Sequence, residues 1–288
     1  MLKSTMQDCT YCHTASFGLV QKNIQSAYSD GKYYEIRECS NCGLKYTFPE
    51  PEASILDKIY NEEYRFDLHR LFSREKTYRA KKLLKSLNLK NEITSNLSAL
   101  ELGAGNCELS NTLNSDYGFK VTAVDRNISG NNEIRVLNMS IESFLETQKS
   151  KYDYIFLSHT LEHLISFDVI FKRICNFLNS GGRIVIVVPN AIKRRKHWGY
   201  WAIPVHLYHF TEDFLKLLAA DNNLQVESID FKGIDSLGFL SGVSAKIGLQ
   251  RNVAPSKSII FVLKIFSLFF RFGYNFGNSD LVFVARKR

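Results

Sequence analysis

Apolar residues along this chain fall into short continuous runs separated by polar or glycine-bearing breaks, and those runs predict the elements. Residues 97–102, 121–125 and 152–157 are mainly apolar and 183–188 almost wholly so, the pattern of strands buried in a parallel sheet. Residues 171–178 have a helical pattern, Gly181 and Gly182 start the strand after it, and Pro189-Asn190 closes that strand. Strands and helices alternate from about residue 95 to near Gln225, which predicts an α/β fold, its mainly parallel sheet covered by helices on both faces. Residues 281–285 predict a last strand. Upstream, residues 54–89 are charged and helical, and 88–98 are polar, as a linker would be. The first 50 residues are rich in cysteine and tyrosine and end at Pro49-Glu50-Pro51. The expected organisation is a small module over 1–50, a helical linker or lid over 51–94 and the α/β domain over 95–288.

The first strand of that domain runs straight into Gly103-Ala104-Gly105. Glycine suits a sharp turn that a ligand approaches closely, because it tolerates positive φ and has no Cβ. Twenty residues after Gly105 the second strand ends at Asp125, where a carboxylate can hold both hydroxyls of a ribose. Strand, glycine turn, helix, strand and acid is the order of a Rossmann-like nucleoside site. A dinucleotide site would place its third glycine at Glu108, whose charge would repel a pyrophosphate. The alternative spacing, acid-x-G-x-G-x-G, is matched by Glu101, Gly103 and Gly105, with Cys107 in place of the last glycine.

Cys9-x-x-Cys12 and Cys39-x-x-Cys42 each set two thiolates on a tight turn, and four thiolates close a tetrahedral Zn²⁺ shell. These four are the expected metal ligands, with His13 a neighbour able to substitute, and the segment is expected to fold as a zinc ribbon. The basic residues between the pairs, Lys22, Lys32 and Arg37, are matched by Asp30, Glu35 and Glu38, which is no surface for nucleic-acid phosphates. A structural or acceptor-shaping role is expected. Cys107 and Cys175 read as isolated thiols.

The acid-x-G-x-G string resembles motif I of the class I S-adenosylmethionine-dependent methyltransferases. The string Asp153-x-x-x-x-x-His159-x-Leu161-Glu162-His163 and, further on, residues 204–211 are similar to signatures of the subfamily that includes ubiquinone-biosynthesis and sugar O-methyltransferases. The resemblance covers roughly 95–230. It implies a Rossmann-like methyltransferase sheet and S-adenosyl-L-methionine as cofactor, held by Glu101, Gly103, Ala104, Gly105, Asp125, Met139, Ser140, Ile141, Ser158 and His159. Met139 to Ile141 are expected beside the adenine. N-terminal C-x-x-C pairs also precede methyltransferases of polysaccharide and antibiotic-sugar pathways, although the long extra C-terminal domain of deoxysugar C-methyltransferases has no counterpart here, which favours oxygen as acceptor.

Two histidines are candidates for the base that removes an acceptor proton: His159, beside the methyl group, and His209, from the segment where this fold builds its acceptor pocket. Lys193-Arg194-Arg195-Lys196 can hold a phosphate, and Trp198, Tyr200 and Trp201 offer flat faces to a sugar ring, so the expected acceptor is a sugar, free as a nucleotide sugar or within a glycan or glycolipid. A quinone or small aromatic acceptor is the enzymatic alternative, and a cofactor-binding scaffold without turnover is the non-enzymatic one. Residues 257–272 are nearly all apolar, with Lys257, Lys264 and Arg271 on one stripe; a core-packed helix, a homodimer contact and a peripheral membrane contact are all compatible. The net charge of +8 permits an anionic partner without choosing one, and nucleic acid is not expected. With no charged-then-apolar leader and six cysteines, four of them in metal-like spacing, a cytoplasmic location is expected.

Overall fold

The computed structural model describes residues 8–26, 30–60, 73–89, 96–128, 133–191, 201–232 and 280–288. The basic run at 193–196, Trp198, Tyr200, the 257–272 stretch and parts of the predicted linker lie outside the described residues. The chain divides into two compact units: residues 1–71, 190–211 and 231–280 form the first, and residues 72–189, 212–230 and 281–288 the second. Among the described residues no helix is long and apolar enough to cross a membrane.

The first unit is built on an antiparallel sheet of four strands in the order β1-β2-β3-β9: β1 (Phe17–Gln25), β2 (Tyr33–Cys39), β3 (Lys45–Phe48) and β9 (Tyr208–His209). Tyr34 and Ile36 alternate inward from β2 and pack against Trp201 and Ile203, with Val20 and Ile24 at the margin. The short helix α1 (Ala53–Lys58) follows. Segment 201–211 therefore belongs with the cysteine-rich residues, although 152 residues lie between Phe48 and Trp201 in sequence. β9 pairs with β3, Lys45 opposite His209 and Tyr46 opposite Tyr208.

The second unit holds a seven-stranded sheet ordered β10-β11-β8-β7-β4-β5-β6. Its strands are β4 (Ser98–Leu102), β5 (Lys120–Asp125), β6 (Arg135–Asn138), β7 (Tyr152–Ser158), β8 (Leu178–Pro189), β10 (Leu224–Lys232) and β11 (Asp280–Lys287). The pairs β4–β5, β5–β6, β4–β7 and β7–β8 are all parallel. This is the Rossmann-like, mostly parallel sheet the sequence predicts. Helices α2 (Ser73–Ser86), α3 (Glu108–Tyr117), α4 (Ile141–Thr147), α5 (Phe167–Cys175) and α6 (Glu212–Asp221) connect or cover the strands. α5 buries Phe167, Ile170, Phe171 and Ile174, a stripe at three- and four-residue spacing, and Phe167 meets Phe214 of α6 edge-on at 5.9 Å.

The predicted helix over 171–178 instead spans Phe167–Cys175, and the strand after it starts at Leu178, five residues before its predicted start. Gly181 and Gly182 lie within that strand. Gly181 takes φ 72, and a Cβ on Gly182 would lie 3.0 Å from the Asn179 carbonyl, so the glycines permit a bend rather than begin the strand. Asp153 ties the sheet's amino edge together. Its Oδ2 accepts from Ser98 N and Ser98 Oγ, both at 2.8 Å, and its Oδ1 from Asn179 Nδ2 at 2.7 Å, which joins β4, β7 and β8. Asp153→Ala should destabilise the second unit by about 1–3 kcal/mol, the cost of leaving such donors unmatched. Urea unfolding of the two proteins at neutral pH measures the difference.

Candidate functional site

The sheet order reverses between β4 and β7: β5 and β6 lie to one side and β8 to the other. Ligands of open α/β sheets bind outside the carboxyl ends of the strands at such a reversal. Parallel register brings the loops after β4, β5, β6 and β7 to one edge, since Leu102 pairs with both Val124 and Leu157, and Asp125 pairs with Asn138. Gly103, Ala104, Gly105, Asp125, Met139, Ser140, Ile141, Ser158 and His159 all lie on or beside that edge.

The glycine loop is held from both sides. Gly103 N and Ala104 N donate to the Val124 carbonyl at 2.9 and 3.1 Å, and Gly105 N donates to Asp125 Oδ2 at 3.0 Å. Gly103 (φ 76) and Gly105 (φ 53) are left-handed. They differ in what surrounds them. A Cβ on Gly103 would lie 2.3 Å from Oγ1 of Thr160, whereas one on Gly105 would meet nothing within 4 Å. Gly103 is thus required by Thr160, and Gly105 opens the approach to Asp125. Cys107, where the motif has its last glycine, keeps the left-handed backbone at φ 63 and buries its thiol beside Ala104 and Ala123.

Asp125 Oδ1 accepts from Asn127 N at 3.1 Å, so each carboxylate oxygen has one backbone donor and further acceptor capacity. Met139 N donates to the Asp125 carbonyl at 3.1 Å, Ser140 caps α4 by accepting from Ser143 N, and Ile141 is buried. Glu101 is buried beneath α3, where Ser110 Oγ donates to it. Burial pushes its carboxyl up to about 8, with the charges of Glu108 and Asp125 adding to the shift and the Ser110 bonds opposing it.

His159 is also left-handed, at φ 53, and its N–H donates to the Val187 carbonyl at 2.8 Å. Thr160 Oγ1 donates to the Leu102 carbonyl at 2.9 Å. The loop after β7 is therefore pinned to the strands on either side of it. A single 3₁₀ turn, Leu161–His163, returns Glu162 towards His159, whose Nδ1 lies 3.5 Å from Glu162 Oε1. Thr160 was not foreseen from sequence: its partners Leu102 and Gly103 are some 57 positions away, and the only local sign is a small polar residue directly after the strand end.

In the first unit, Cys9, Cys12, Cys39 and Cys42 bring their sulfurs together, with Cys9–Cys42 at 3.6 Å and Cys12–Cys39 at 3.4 Å. No disulfide joins them. Sulfurs about 2.3 Å from a tetrahedral ion lie about 3.8 Å apart, so the cluster fits Zn²⁺. The two turns have the same build: His13 N donates to the Cys9 carbonyl and Gly43 N to the Cys39 carbonyl, with His13 at φ 56 and Gly43 at φ 72. His13 thus closes a turn rather than joining the ligand set. His209, expected in an acceptor pocket, is buried in β9; its Nε2 lies 3.1 Å from Thr47 Oγ1 and its ring packs edge-on against Trp201. Trp201, expected to offer a flat face to a sugar, is 3% exposed and donates through Nε1 to Gln21 Oε1 at 2.7 Å.

A sequence profile described as "Methyltransferase domain" matches residues 62–229, more than half of the chain. The chain belongs to this methyltransferase family. No curated protein matches it in sequence. Among solved structures, phosphoethanolamine N-methyltransferase 2 of Haemonchus contortus is similar at TM-score 0.56 and 15% identity, over 84% of this chain and 62% of that one. The 1,6-didemethyltoxoflavin-N1-methyltransferase of Burkholderia thailandensis is similar at 0.51 and 15%, over 91% and 99%. A SAM-dependent methyltransferase of Archaeoglobus fulgidus gives 0.50 and 18%, over 82% and 100%. The fold is that of the class I S-adenosylmethionine-dependent methyltransferases.

The edge of this methyltransferase fits such a cofactor on two observations: the open space at Gly105 and the remaining acceptor capacity of Asp125 beside it. Two predictions follow from the local geometry. Gly103→Ala should destabilise the second unit, because the new Cβ must displace Thr160 and adopt positive φ; adding Thr160→Gly should restore part of the loss, which thermal unfolding of the three variants measures. Glu101 has its folded pKa raised to about 8 from an ordinary 4.5, so the folded state holds the extra proton between those values. Stability from this group is complete below pH 4.5 and falls as pH rises through about 8. Glu101→Gln should flatten that fall in denaturant titrations across this window.

Proposed function

We propose that this methyltransferase transfers a methyl group from S-adenosyl-L-methionine to a hydroxyl of a sugar, carried as a nucleotide sugar or in a surface glycan or glycolipid. The observation that carries the cofactor reading is Asp125 accepting the Gly105 N–H at the same sheet edge as His159. When bound, S-adenosyl-L-methionine supplies a methyl group activated by its sulfonium. Asp125 would hold the two ribose hydroxyls, the backbone of Gly103 to Gly105 would line the cofactor, and Met139 to Ile141 would border the adenine. His159 accepts the hydroxyl proton as the acceptor oxygen attacks, and most of the rate comes from positioning. The burial of His209 on Thr47 favours His159 for this role and gives His209 a structural one. Sugar as acceptor is supported by the similarity of 153–163 and 204–211 to signatures of a subfamily that includes sugar and ubiquinone-biosynthesis O-methyltransferases, and by the N-terminal C-x-x-C pairs that also precede methyltransferases of sugar pathways. Assay of purified protein with labelled cofactor against nucleotide sugars, lipid-linked glycans and quinols tests it: methylation confined to quinols would replace the sugar reading.

The four cysteines are read as a structural zinc site that frames segment 201–211. That segment is tied to the cysteine sheet by the β3–β9 pairing, by Thr47 Oγ1 donating to the His206 carbonyl at 2.7 Å, and by Trp201 on Gln21. Elemental analysis should find one zinc per chain. Cys39→Ser should unfold the first unit, because the metal supplies much of a small module's folding free energy, and should abolish turnover while leaving cofactor affinity in place. Asp125→Ala should do the reverse. Each charge-assisted hydrogen bond is worth about 1.5–3 kcal/mol, so calorimetry should show S-adenosyl-L-methionine bound at least roughly tenfold more weakly, with zinc content unchanged.

A further inference from the structure

Glu162 is 1% exposed, and neither of its carboxylate oxygens makes a hydrogen bond among the described residues. A buried carboxylate left alone is costly and ordinarily takes up a proton. Here burial pushes its carboxyl up, yet contact with His159 and the charges of His163 and His159 outweigh that push and hold it below the ordinary range. Nδ1 of His159 lies 3.5 Å from its Oε1, and a ring nitrogen of His163 lies within 4.8 Å of the carboxylate. The backbone brings Glu162 and His159 together. The His159 N–H is fixed on Val187 of β8, Thr160 on Leu102 of β4, and the intervening 3₁₀ turn returns the i+3 side chain over the imidazole. The left-handed φ of His159, uncommon for a residue with a Cβ, is held in place by those bonds.

We propose that Glu162 is a positioning residue for His159, its buried carboxylate taking the Nδ1–H of the imidazole so that Nε2 is the nitrogen bearing the lone pair. This deepens the reading of His159 as the proton acceptor and rests on it. A neutral imidazole carries a single N–H, and whichever nitrogen bears it cannot act as base. When Nε2 takes the acceptor proton, the ring becomes a cation, and the 3.5 Å separation can close to a charge-assisted hydrogen bond of about 2.7–2.9 Å. Glu162 therefore orients the ring before the reaction and stabilises the imidazolium formed during it. The proton travels from acceptor hydroxyl to Nε2, and Glu162 remains ionised throughout.

The test uses the full chain labelled with ¹⁵N in its histidines. Long-range ¹H–¹⁵N spectra are recorded about two pH units above the ordinary imidazole value, with the His159 signals assigned by their loss in His159→Gln. Wild-type protein should show His159 as the Nδ1–H tautomer, and Glu162→Ala should convert it to a mixture; an unchanged tautomer in Glu162→Ala overturns the proposal. The near-isosteric Glu162→Gln keeps the fold testable if the alanine variant does not fold. Its kcat should fall roughly tenfold or more because an amide cannot stabilise the cation, with acceptor KM and cofactor affinity little changed. A wild-type kcat in Glu162→Gln also overturns it. The underlying reading fails separately: if His159→Ala retains turnover within a few-fold of wild type, His159 is not the base, whatever its tautomer.

Discussion

The approach of Thr160 to the backbone of Gly103 is the contact on which the carboxyl edge of the sheet depends. β4 and β7 lie side by side where the strand order turns, and their loops would compete for the same space if either carried a bulky side chain there. Gly103 resolves this by having no Cβ, and Thr160 uses the room, its hydroxyl taking the carbonyl of Leu102, the last residue of β4. A buried backbone acceptor is satisfied, and two loops that bear different chemistry are fixed to one another. One leads to the backbone donors of the glycine turn; the other carries His159 and Glu162. Gly103 makes room for a side chain of its own fold, whereas the space beside Gly105 is open.

Two acids bracket that loop and differ because their surroundings do. Asp125 stands at the open end of β5, where its carboxylate accepts two backbone N–H groups. Glu101 pairs with Ala123, two positions deeper in the sheet, and lies under α3 with Ser110, where burial makes its neutral form the favoured one near pH 7. One carboxylate is thus available to a ligand and the other serves to fasten helix to strand. Both belong to the same sequence motif, and only the depth at which each sits along its strand separates their roles.

What could be read from the sequence was what local pattern encodes. The mainly apolar runs at 97–102, 121–125 and 152–157 became β4, β5 and β7 to within a residue, because glycine-bearing or polar breaks flank each of them and their few polar residues are held within the sheet or at its ends. The cysteine spacing announced a cluster of four sulfurs for the same reason: two turns of fixed geometry suffice to build it. What was not legible were pairings across sequence distance. Nothing near Thr160 points to Leu102, and nothing near Tyr208 and His209 points to β3. The basic, aromatic run that Trp201 ends and His209 follows suggests ligand-facing side chains. Trp201 packs on Tyr34, Ile36 and Gln21 and His209 on Thr47 and Trp201, contacts made by residues in a distant part of the chain. Cys107 departs from the motif in residue type, yet keeps the left-handed backbone for which glycine is the usual choice, so a change of identity concealed an unchanged conformation.

Among the described residues of the first unit, one core cluster sets Tyr34 and Ile36 from β2 against Trp201 and Ile203. Small β modules of this kind usually rely on a metal or on cross-links. The four thiols supply the place for one at the end of the sheet where β2 terminates in Cys39. Among the described residues, segment 201–211 is tied to that sheet at several points: β9 hydrogen-bonds to β3, Thr47 holds the carbonyl of His206 and lies against the ring of His209, and Gln21 holds Trp201. A metal ion at the cysteine cluster would therefore order far more than the two turns that bind it. By fixing the strands on which a sequence-distant segment is laid, it sets the conformation of residues that carry no metal ligand of their own.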